Sequence, residues 1–358
     1  MSKTQEPPFP KQSAPTTQAA AHAAPKLFAF LGSFRGILAL LAVLLVGFFW
    51  RPEGDTGAWP MFLTTDTQAY VLYEIAAIGL MASGMTFVIL TGGIDLSVGS
   101  VMGFVAMLFS LAYIKYGWNP LAAVVLVLAV GAICGGVNGL LIAKLRLQPF
   151  VATLAMMAAA RGAAQLITDS RSIVAGPGMA FEAGGDIPFY VWMNSSILGT
   201  QVQPITLLFL ITVLVGLLVT RYTKFGRQLY AIGGNEEAAR LSGVNVNLTK
   251  IAAYAICGLT AALAGVCDAA KQGYGFPQSG LNMELDAIAA VVIGGTSLMG
   301  GSGSMLLTLI GTVLIAEINK LLSLNNVQPA AKLITKGGLI VAAVLIQQRR
   351  IRRSRGGN

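Results

Sequence analysis

The amino-acid sequence predicts an all-α polytopic membrane protein. Hydrophobic residues make up 55% of the 358 positions and charged residues only 11%, against about 25% charged residues in a soluble domain. Several apolar stretches reach the length of roughly 17–25 residues that a helix needs to cross the hydrocarbon core of a bilayer. The 42 glycines are typical of helices that approach one another closely in lipid. We therefore expect membrane lipid to surround most of the chain.

Ten apolar segments follow one another and predict about ten transmembrane helices. The eighth segment is the shortest, because its ten residues span only about 15 Å as a helix, half of a bilayer. We expect it to extend back through residues 280–285, so that it crosses or is completed by neighbouring backbone. The predicted segments are residues 34–50, 70–91, 96–114, 120–143, 151–168, 204–220, 251–270, 285–294, 304–322 and 330–348.

The distribution of basic residues predicts the orientation of these segments. With ten crossings, the amino-terminal residues, the loops 144–146 and 221–250 and the arginine-rich carboxyl tail share one side, which holds 16 of the 24 Lys and Arg residues. Loops rich in Lys and Arg stay in the cytoplasm. Both termini are therefore expected to be cytoplasmic, and residues 51–69 and 169–203 form the longest extracytoplasmic loops.

Composition divides the chain into a disordered cytoplasmic tail (1–30), a transmembrane domain (31–348) and a basic cytoplasmic tail (349–358). The first tail is rich in Pro, Ala, Gln and Thr and has too few large apolar side chains to order itself. The single histidine, His22, lies in this tail, and the three cysteines have no metal or disulfide spacing. We therefore predict no metal site.

Sequence motifs for nucleotide chemistry are absent from the chain. Nothing matches the phosphate-binding pattern G-x-x-x-x-G-K-[ST], and no paired acid and base on a soluble scaffold indicates hydrolysis. The chain is therefore predicted not to be an enzyme and to carry no cofactor of its own. Any energy from ATP must come through another subunit.

One sequence pattern occurs in both halves of the chain. "GGIDLSVGS" at residues 92–100 matches "GGTSLMGGS" at residues 294–302 at five of nine positions. Matching helix breaks in corresponding places are typical of transporters built from repeats. The pattern predicts two pseudo-repeated halves with broken helices.

The first of these breaks supplies candidate residues for a translocation path. Gly92 and Gly93 end the second segment, and Asp95 or Ser97 can cap the helix that follows. Alternatively, these residues line a path and offer hydrogen-bond partners to a hydroxyl-rich solute, since non-helical backbone within a membrane must face protein or a wet cavity.

Ionisable residues inside apolar segments supply further candidates. Arg161 is the most central, and Gln165 lies one turn later on the same helix face. A charge facing lipid is costly, so Arg161 either forms a buried structural ion pair or donates hydrogen bonds on a translocation path. The remaining candidates lie in segment eight and at the second break: Glu284, Asp286, Gly294, Gly295 and Thr296.

Residues 235–243 predict a helix of about two turns between transmembrane segments. Asn235 is a good N-cap, acidic residues fill the first turn, and Gly243 supplies the stop. So short a helix is marginal alone in water and needs a surface to pack on. That surface is either a partner protein or the chain's own bundle. The candidate contact residues are Glu236, Glu237, Ala238, Ala239, Arg240 and Gly243.

Four motifs in this order resemble one protein family. The spacing E-A-A-x-x-x-G in residues 237–243 resembles the coupling motif of ABC importer permeases. Residues 87–101, 148–162 and 284–303 are similar to the ribose/xylose/arabinose branch of those permeases. The resemblance covers roughly residues 70–348 and makes the transmembrane domain a permease domain, with 221–250 as its coupling loop.

The resemblance implies a permease of the bacterial cytoplasmic (inner) membrane that pairs with a second copy of itself. It implies two copies of a cytoplasmic ATP-binding subunit, which hold ATP and Mg, and an extracytoplasmic sugar-binding protein that delivers a monosaccharide; no nucleic acid is involved. The alternatives are a related importer for nucleosides or branched-chain amino acids and a secondary transporter driven by an ion gradient. The sequence does not identify the sugar.

Overall fold

The computed structural model describes residues 24–50, 60–181, 185–338, 341 and 345. These residues form helices and turns, with one isolated β-bridge between Ile173 and Gly275. Short 3₁₀ turns lie at Met61–Leu63 and Ile197–Gly199, and a π turn at Leu111–Lys115 continues the third helix. The helices are α1 (Ala24–Phe49), α2 (Thr65–Leu90), α3 (Val98–Ser110), α4 (Pro120–Ala143), α5 (Pro149–Leu166), α6 (Pro188–Asn194), α7 (Pro204–Tyr222), α8 (Lys224–Gly234), α9 (Glu236–Leu241), α10 (Val246–Gln272), α11 (Met283–Gly294), α12 (Met305–Leu324) and α13 (329–338).

The amino-terminal helix begins earlier than the sequence predicts. Residues 24–30 belong to α1, although composition assigns them to a disordered tail. Leu27, Phe28 and Phe30 are large and apolar, so the apolar stretch of the first helix begins before residue 31. Residues 1–23 and the basic tail 349–358 lie outside the described residues.

Six of the described helices are long and apolar enough, by length and composition, to cross a membrane, and the part Gly36–Phe49 of α1 is a further apolar segment. The fold is therefore that of an all-α polytopic membrane protein. The six candidate spans are Thr65–Leu90, Val98–Lys115, Pro120–Ala143, Pro204–Tyr222, Val246–Gln272 and Met305–Leu324.

Helix α10 lies at the centre of the bundle, where it packs against α4, α2 and α3. Its approach to α4 is so close that only glycine fits at the crossing. A Cβ on Gly135 would collide with the carbonyl oxygen of Tyr254, and a Cβ on Gly258 would collide with that of Gly131. Small residues let helix backbones touch in lipid, where packing and not water exclusion holds helices together.

The first helix break lies between α2 and α3. Gly93 sits against Tyr254 of α10, whereas Met102 of α3 sits against Gly265, eleven residues further along α10. Since an α-helix rises 1.5 Å per residue, the chain advances about 16 Å along the α10 axis between Gly93 and Met102. Helix α3 thus begins inside the bundle, and the linker 91–97 takes the place of its missing turns.

A further non-helical stretch precedes α11, whereas the second break at residues 294–302 follows this helix. The turn segment 273–282 runs along α3, from Gly275 beside Ser110 to Gly280 beside Gly99. These contacts are separated by about 16 Å along the axis of α3, and the 12 residues of α11 add about 18 Å. Placed end to end, turn segment and helix extend about 34 Å, compared with about 30 Å for a hydrocarbon core.

Candidate functional site

The predicted short helix is preceded by an amphipathic helix, α8, that the sequence reasoning missed. The hydroxyl of Thr223 accepts a hydrogen bond from the amide of Gly226 at 3.1 Å and starts this helix. Leu229 and Ile232 are buried, and Phe225 packs against the core at the same helical spacing. An N-cap followed by apolar residues at i, i+4 and i+7 is the signal that predicts such a helix.

Helix α9 forms where the sequence predicts it, and both ends are capped. The side chain of Asn235 accepts a hydrogen bond from the amide of Ala238 at 3.0 Å. At the other end Gly243 has a φ of +83°, and the amide of Val244 donates to the carbonyl of Ala239 at 3.1 Å. This is a Schellman stop, which requires a left-handed residue and therefore favours glycine.

One side of α9 is tied to the bundle. Ala239 is buried together with Ile232 of α8. The carboxylate of Glu236 accepts from Lys250 of α10 at 2.6 Å and pairs with Arg240 at 3.2 Å. The Glu236–Lys250 salt bridge therefore holds α9 against α10, and the Arg240 pair lies within α9.

The opposite side of α9 is exposed. Glu237, Ala238 and Leu241 face outward, and Leu241 is 81% exposed. No hydrogen bond or salt bridge to Glu237 occurs within the described part of the chain. An exposed leucine beside small and acidic residues, on a capped helix, is a surface that another protein can cover.

A buried polar cluster occupies the first break. Asp95 is 1% exposed, and its Oδ1 accepts from the Ser97 amide at 2.8 Å and from the Ser97 hydroxyl at 2.6 Å. The side-chain amide of Asn138 on α4 donates to the Ser97 hydroxyl at 2.9 Å. The hydroxyl of Tyr254 donates to the carbonyl of Ile94 at 3.4 Å. This cluster fastens the linker to α4 and α10.

At the first break, the side chain that accepts a backbone amide next to the start of α3 is that of Asp95 and not that of Ser97. Ser97 is the N-cap of α3 but its side chain makes no capping hydrogen bond, because the hydroxyl points back to Asp95. Within the described residues, Asp95 Oδ2 and Asn138 Oδ1 are buried without a hydrogen-bond partner. Sequence analysis missed Asn138, which lies 41 residues from Ser97.

Arg161 holds the turn segment before α11. Its Nη1 donates to the carbonyl oxygens of Pro277 and Ser279, each at 2.8 Å. No salt bridge to Arg161 is found in the described regions. The hydrogen-bond partners of Arg161 are therefore backbone carbonyls more than a hundred residues away, while Glu284 attracts its charge without forming a salt bridge.

The remaining predicted path residues do not share one cavity with this cluster. Glu284 lies beside Gly99 at the start of α3, whereas Asp286 forms a salt bridge of 2.9 Å with Lys336 of α13. Gln165 is half-buried on α5. The structure thus separates the predicted path into the linker cluster, the Arg161 contact and the Asp286 salt bridge.

The two breaks meet at the end of α8. The amide of Gly301 donates to the carbonyl of Leu90 at 3.0 Å, and the hydroxyl of Tyr230 donates to the carbonyl of Gly303 at 3.0 Å. Burial raises the pKa of the Tyr230 phenol, which keeps this donor protonated. The positive φ values of Gly92 and Gly295, +80° and +114°, turn the chain at the two breaks.

Thr296 follows the second turn and is fully buried. Gly294 lies against the backbone of α12, where a Cβ would collide with the Leu307 carbonyl. Gly294 therefore allows backbone contact and does not face a solute in this conformation, whereas Gly295 is exposed.

Cavities open at the end of the bundle opposite α9. One of about 530 Å³ lies between α6 and the end of α10, and one of about 310 Å³ lies between α2 and α12. The second is lined by Tyr70, Glu74 and Lys320, among others. None of the predicted path residues lines either cavity. In the described part of the chain no group of three or more His, Cys, Asp and Glu residues is placed to hold a metal ion.

A helical membrane bundle with two broken helices and an outward-facing capped helix defines a transport permease. The family described as "branched-chain amino acid transport system / permease component" matches residues 68–344, and the chain belongs to this family. No solved structure matches the chain.

Several characterised permeases are similar to the chain over most of their length. The ribose import permease protein RbsC of Escherichia coli (strain K12) is 40% identical over 81% of this chain and 88% of its own. The RbsC protein of Bacillus subtilis (strain 168) is 39% identical over 89% and 93%. The xylose transport system permease protein XylH of Escherichia coli (strain K12) is 33% identical over 89% and 92%.

Proposed function

We propose that this chain is the transmembrane permease subunit of an ATP-driven importer that moves a monosaccharide into the cytoplasm. The observation that carries the proposal is the identity of 33–40%, over 81–89% of the chain, with permeases for ribose and xylose. A pentose is accordingly the first substrate to test. The importer for nucleosides or branched-chain amino acids remains the alternative, since the family description names the latter.

Helix α9 is proposed to couple the permease to an ATP-binding subunit. Its caps and the Glu236–Lys250 salt bridge fix it on the bundle, while Glu237, Ala238 and Leu241 remain exposed. A short helix held rigidly on one side and exposed on the other can transmit a push from a partner. This arrangement favours a coupled importer over a secondary transporter, for which such a surface has no use.

The proposed assembly contains two permease copies, two ATP-binding subunits and an extracytoplasmic sugar-binding protein. ATP and Mg would bind to the partner subunits and no cofactor to this chain. The assembly would lie in the bacterial inner membrane with α9 and both termini on the cytoplasmic side. Ten crossings in two pseudo-repeated halves are supported by the two broken helices and by the 34 Å that segment 273–282 and α11 extend when placed end to end, at about 1.5 Å per helical residue.

The residues around the breaks are proposed to rearrange during transport. In this conformation Asp95, Ser97 and Thr296 are buried, so a solute can contact them only after the bundle opens. Arg161 would then move with the turn segment that it holds through Pro277 and Ser279.

Reconstitution in proteoliposomes tests the proposed function. The chain is combined with its ATP-binding subunit and binding protein, and ATP-dependent uptake is measured for ribose, xylose, adenosine and leucine. Uptake of a sugar alone supports the proposal, and uptake of adenosine or leucine alone selects the related importers. Uptake driven by an ion gradient without the ATP-binding subunit would overturn it in favour of a secondary transporter.

A further inference from the structure

Three backbone segments that are distant in sequence touch at the end of α8. They are the end of α2 at Leu90, the last residues of α8 at Gly233 and Gly234, and the loop after α11 at Gly300 and Gly301. A Cβ on Gly233 would collide with both the Leu90 carbonyl oxygen and the Gly301 amide, which form a hydrogen bond of 3.0 Å with each other. Gly233 therefore packs directly on the hydrogen bond that joins the two breaks.

The loop after α11 is fitted to α8 at two further points. A Cβ on Gly301 would lie 2.8 Å from the amide nitrogen of Gly234, and a Cβ on Gly300 would lie 2.9 Å from the Gly233 Cα. The hydroxyl of Tyr230, one turn earlier on α8, donates to the Gly303 carbonyl at 3.0 Å. Helix α8 thus contacts this loop through its backbone and through one side-chain hydrogen bond.

Helix α8 is continuous with the exposed helix. Only Asn235, the N-cap of α9, separates Gly234 from Glu236, and Ile232 of α8 packs against Ala239 of α9. A displacement of α9 therefore moves the end of α8, and with it the contact at Gly233.

We propose that Gly233, with Tyr230, transmits the movement of α9 to both helix breaks at once. Because Gly233 touches the end of α2 and the loop after α11 simultaneously, one displacement shifts both linkers together. Interfaces of closely packed backbone switch between discrete arrangements and do not deform smoothly. Gly233 and Tyr230 are positioning residues in this proposal, which rests on the coupling function proposed for α9.

Gly233→Ala and Gly234→Ala form a matched pair of variants. The two glycines are adjacent at the end of α8, neither has a positive φ, and a Cβ on Gly234 would have no heavy atom within 4 Å. Both substitutions favour helix equally. They differ only in the contact with Leu90 and Gly301.

The test uses the reconstituted complex of permease, ATP-binding subunit and loaded binding protein. Three quantities are measured at equal amounts of folded permease: retention of the ATP-binding subunit, stimulation of ATP hydrolysis by the loaded binding protein, and sugar uptake. For Gly233→Ala we expect normal retention of the ATP-binding subunit and uptake per ATP hydrolysed reduced at least about tenfold, the factor given by a shift of about 1.4 kcal/mol between two conformations. Gly234→Ala should behave as the wild type.

Tyr230→Phe keeps the ring and removes only the hydrogen bond to Gly303. It should fold normally and lower uptake per ATP hydrolysed in the same direction as Gly233→Ala, by about two- to fivefold, as expected from a single hydrogen bond. This variant keeps the proposal testable if Gly233→Ala fails to fold, because a purely structural contact would leave the ratio of uptake to ATP hydrolysis unchanged.

The proposal is overturned if Gly233→Ala folds and couples as well as Gly234→Ala, or if Tyr230→Phe transports sugar at the wild-type ratio to ATP hydrolysis. Failure of the coupling function itself has a different signature. In that case Glu237→Lys, which leaves the α8 contacts intact, would retain and stimulate the ATP-binding subunit normally.

Discussion

The carboxyl group of Asp95 lies deep in the bundle with donors on one oxygen only. Oδ1 accepts two hydrogen bonds from Ser97, whereas Oδ2 is buried without a partner among the described groups. A buried charge without a cation is strongly unfavourable. The unpartnered Oδ2 supports the proposed role of Asp95 on a translocation path, where a further donor could bind it.

Asp95→Asn and Asp95→Ala separate hydrogen bonding from charge. Asparagine keeps an acceptor for Ser97 and removes the ionisable group, so we expect thermal stability in detergent at least equal to the wild type. Alanine leaves the Ser97 donors unpaired and should destabilise the protein by about 1–3 kcal/mol. A melting temperature for Asp95→Asn as low as that for Asp95→Ala would contradict this account of the linker. Uptake per folded protein then reports any role on the path.

Arg161→Ala and Arg161→Lys test the hold on the turn segment before α11. Alanine removes the donor from the Pro277 and Ser279 carbonyls, each a hydrogen bond to a charged group worth about 1.5–3 kcal/mol. Lysine keeps the charge but lacks the planar fork, so it should restore only part of the loss. We expect sugar uptake to fall further than the amount of folded protein, measured by detergent gel filtration. If uptake falls only in proportion to folded protein, Arg161 has a purely structural role.

At the scale of elements, local signals and distant contacts differ in how well the sequence predicts them. Helix α9 was predicted because its N-cap Asn235 and its stop Gly243 lie within the same nine residues. The partners of Arg161 could not be predicted, because they are carbonyl oxygens 116 and 118 residues away whose side chains carry no signal. The contact at Gly233 could not be predicted either, because glycine has no side chain whose chemistry would indicate a contact.

The coupling role of α9 is tested by Glu237→Lys. The substitution removes a negative charge from the first turn of a short helix and adds a positive charge there. Each of these two changes is unfavourable with respect to the helix dipole by about 0.3–1 kcal/mol. Because Glu237 is exposed and forms no salt bridge within the described residues, the protein should insert and fold normally. Retention of the ATP-binding subunit and uptake should both be lost.

Glu237→Gln is the matched control, because it keeps the size of the side chain and adds no positive charge. It should retain most of the activity. Wild-type uptake and ATPase stimulation in Glu237→Lys would leave α9 as a loop helix that packs on its own bundle only.

At the scale of the whole molecule, two non-helical stretches allow neighbouring segments to pack closely. The linker 91–97 leads into α3, and segment 273–282 runs along α3 in the opposite direction before α11 packs on α12 and α2. Non-helical backbone at this depth is stable because it is covered by protein and not by lipid.

The number of membrane crossings depends on whether α11 completes one. A reporter fused after residue 358 tests this by locating the carboxyl terminus. Placed end to end, the turn segment and α11 extend about 34 Å at 1.5 Å per helical residue, enough for a crossing of about 30 Å. With that crossing included, ten segments bring the carboxyl terminus back to the side that carries α9. The five arginines of residues 349–358 also favour the cytoplasm. We therefore expect green fluorescent protein fused there to fluoresce and alkaline phosphatase fused there to be inactive, with fusions in the loop 169–203 giving the opposite pattern. Active alkaline phosphatase at the carboxyl terminus would mean an odd number of crossings and would reduce α11 to a re-entrant helix.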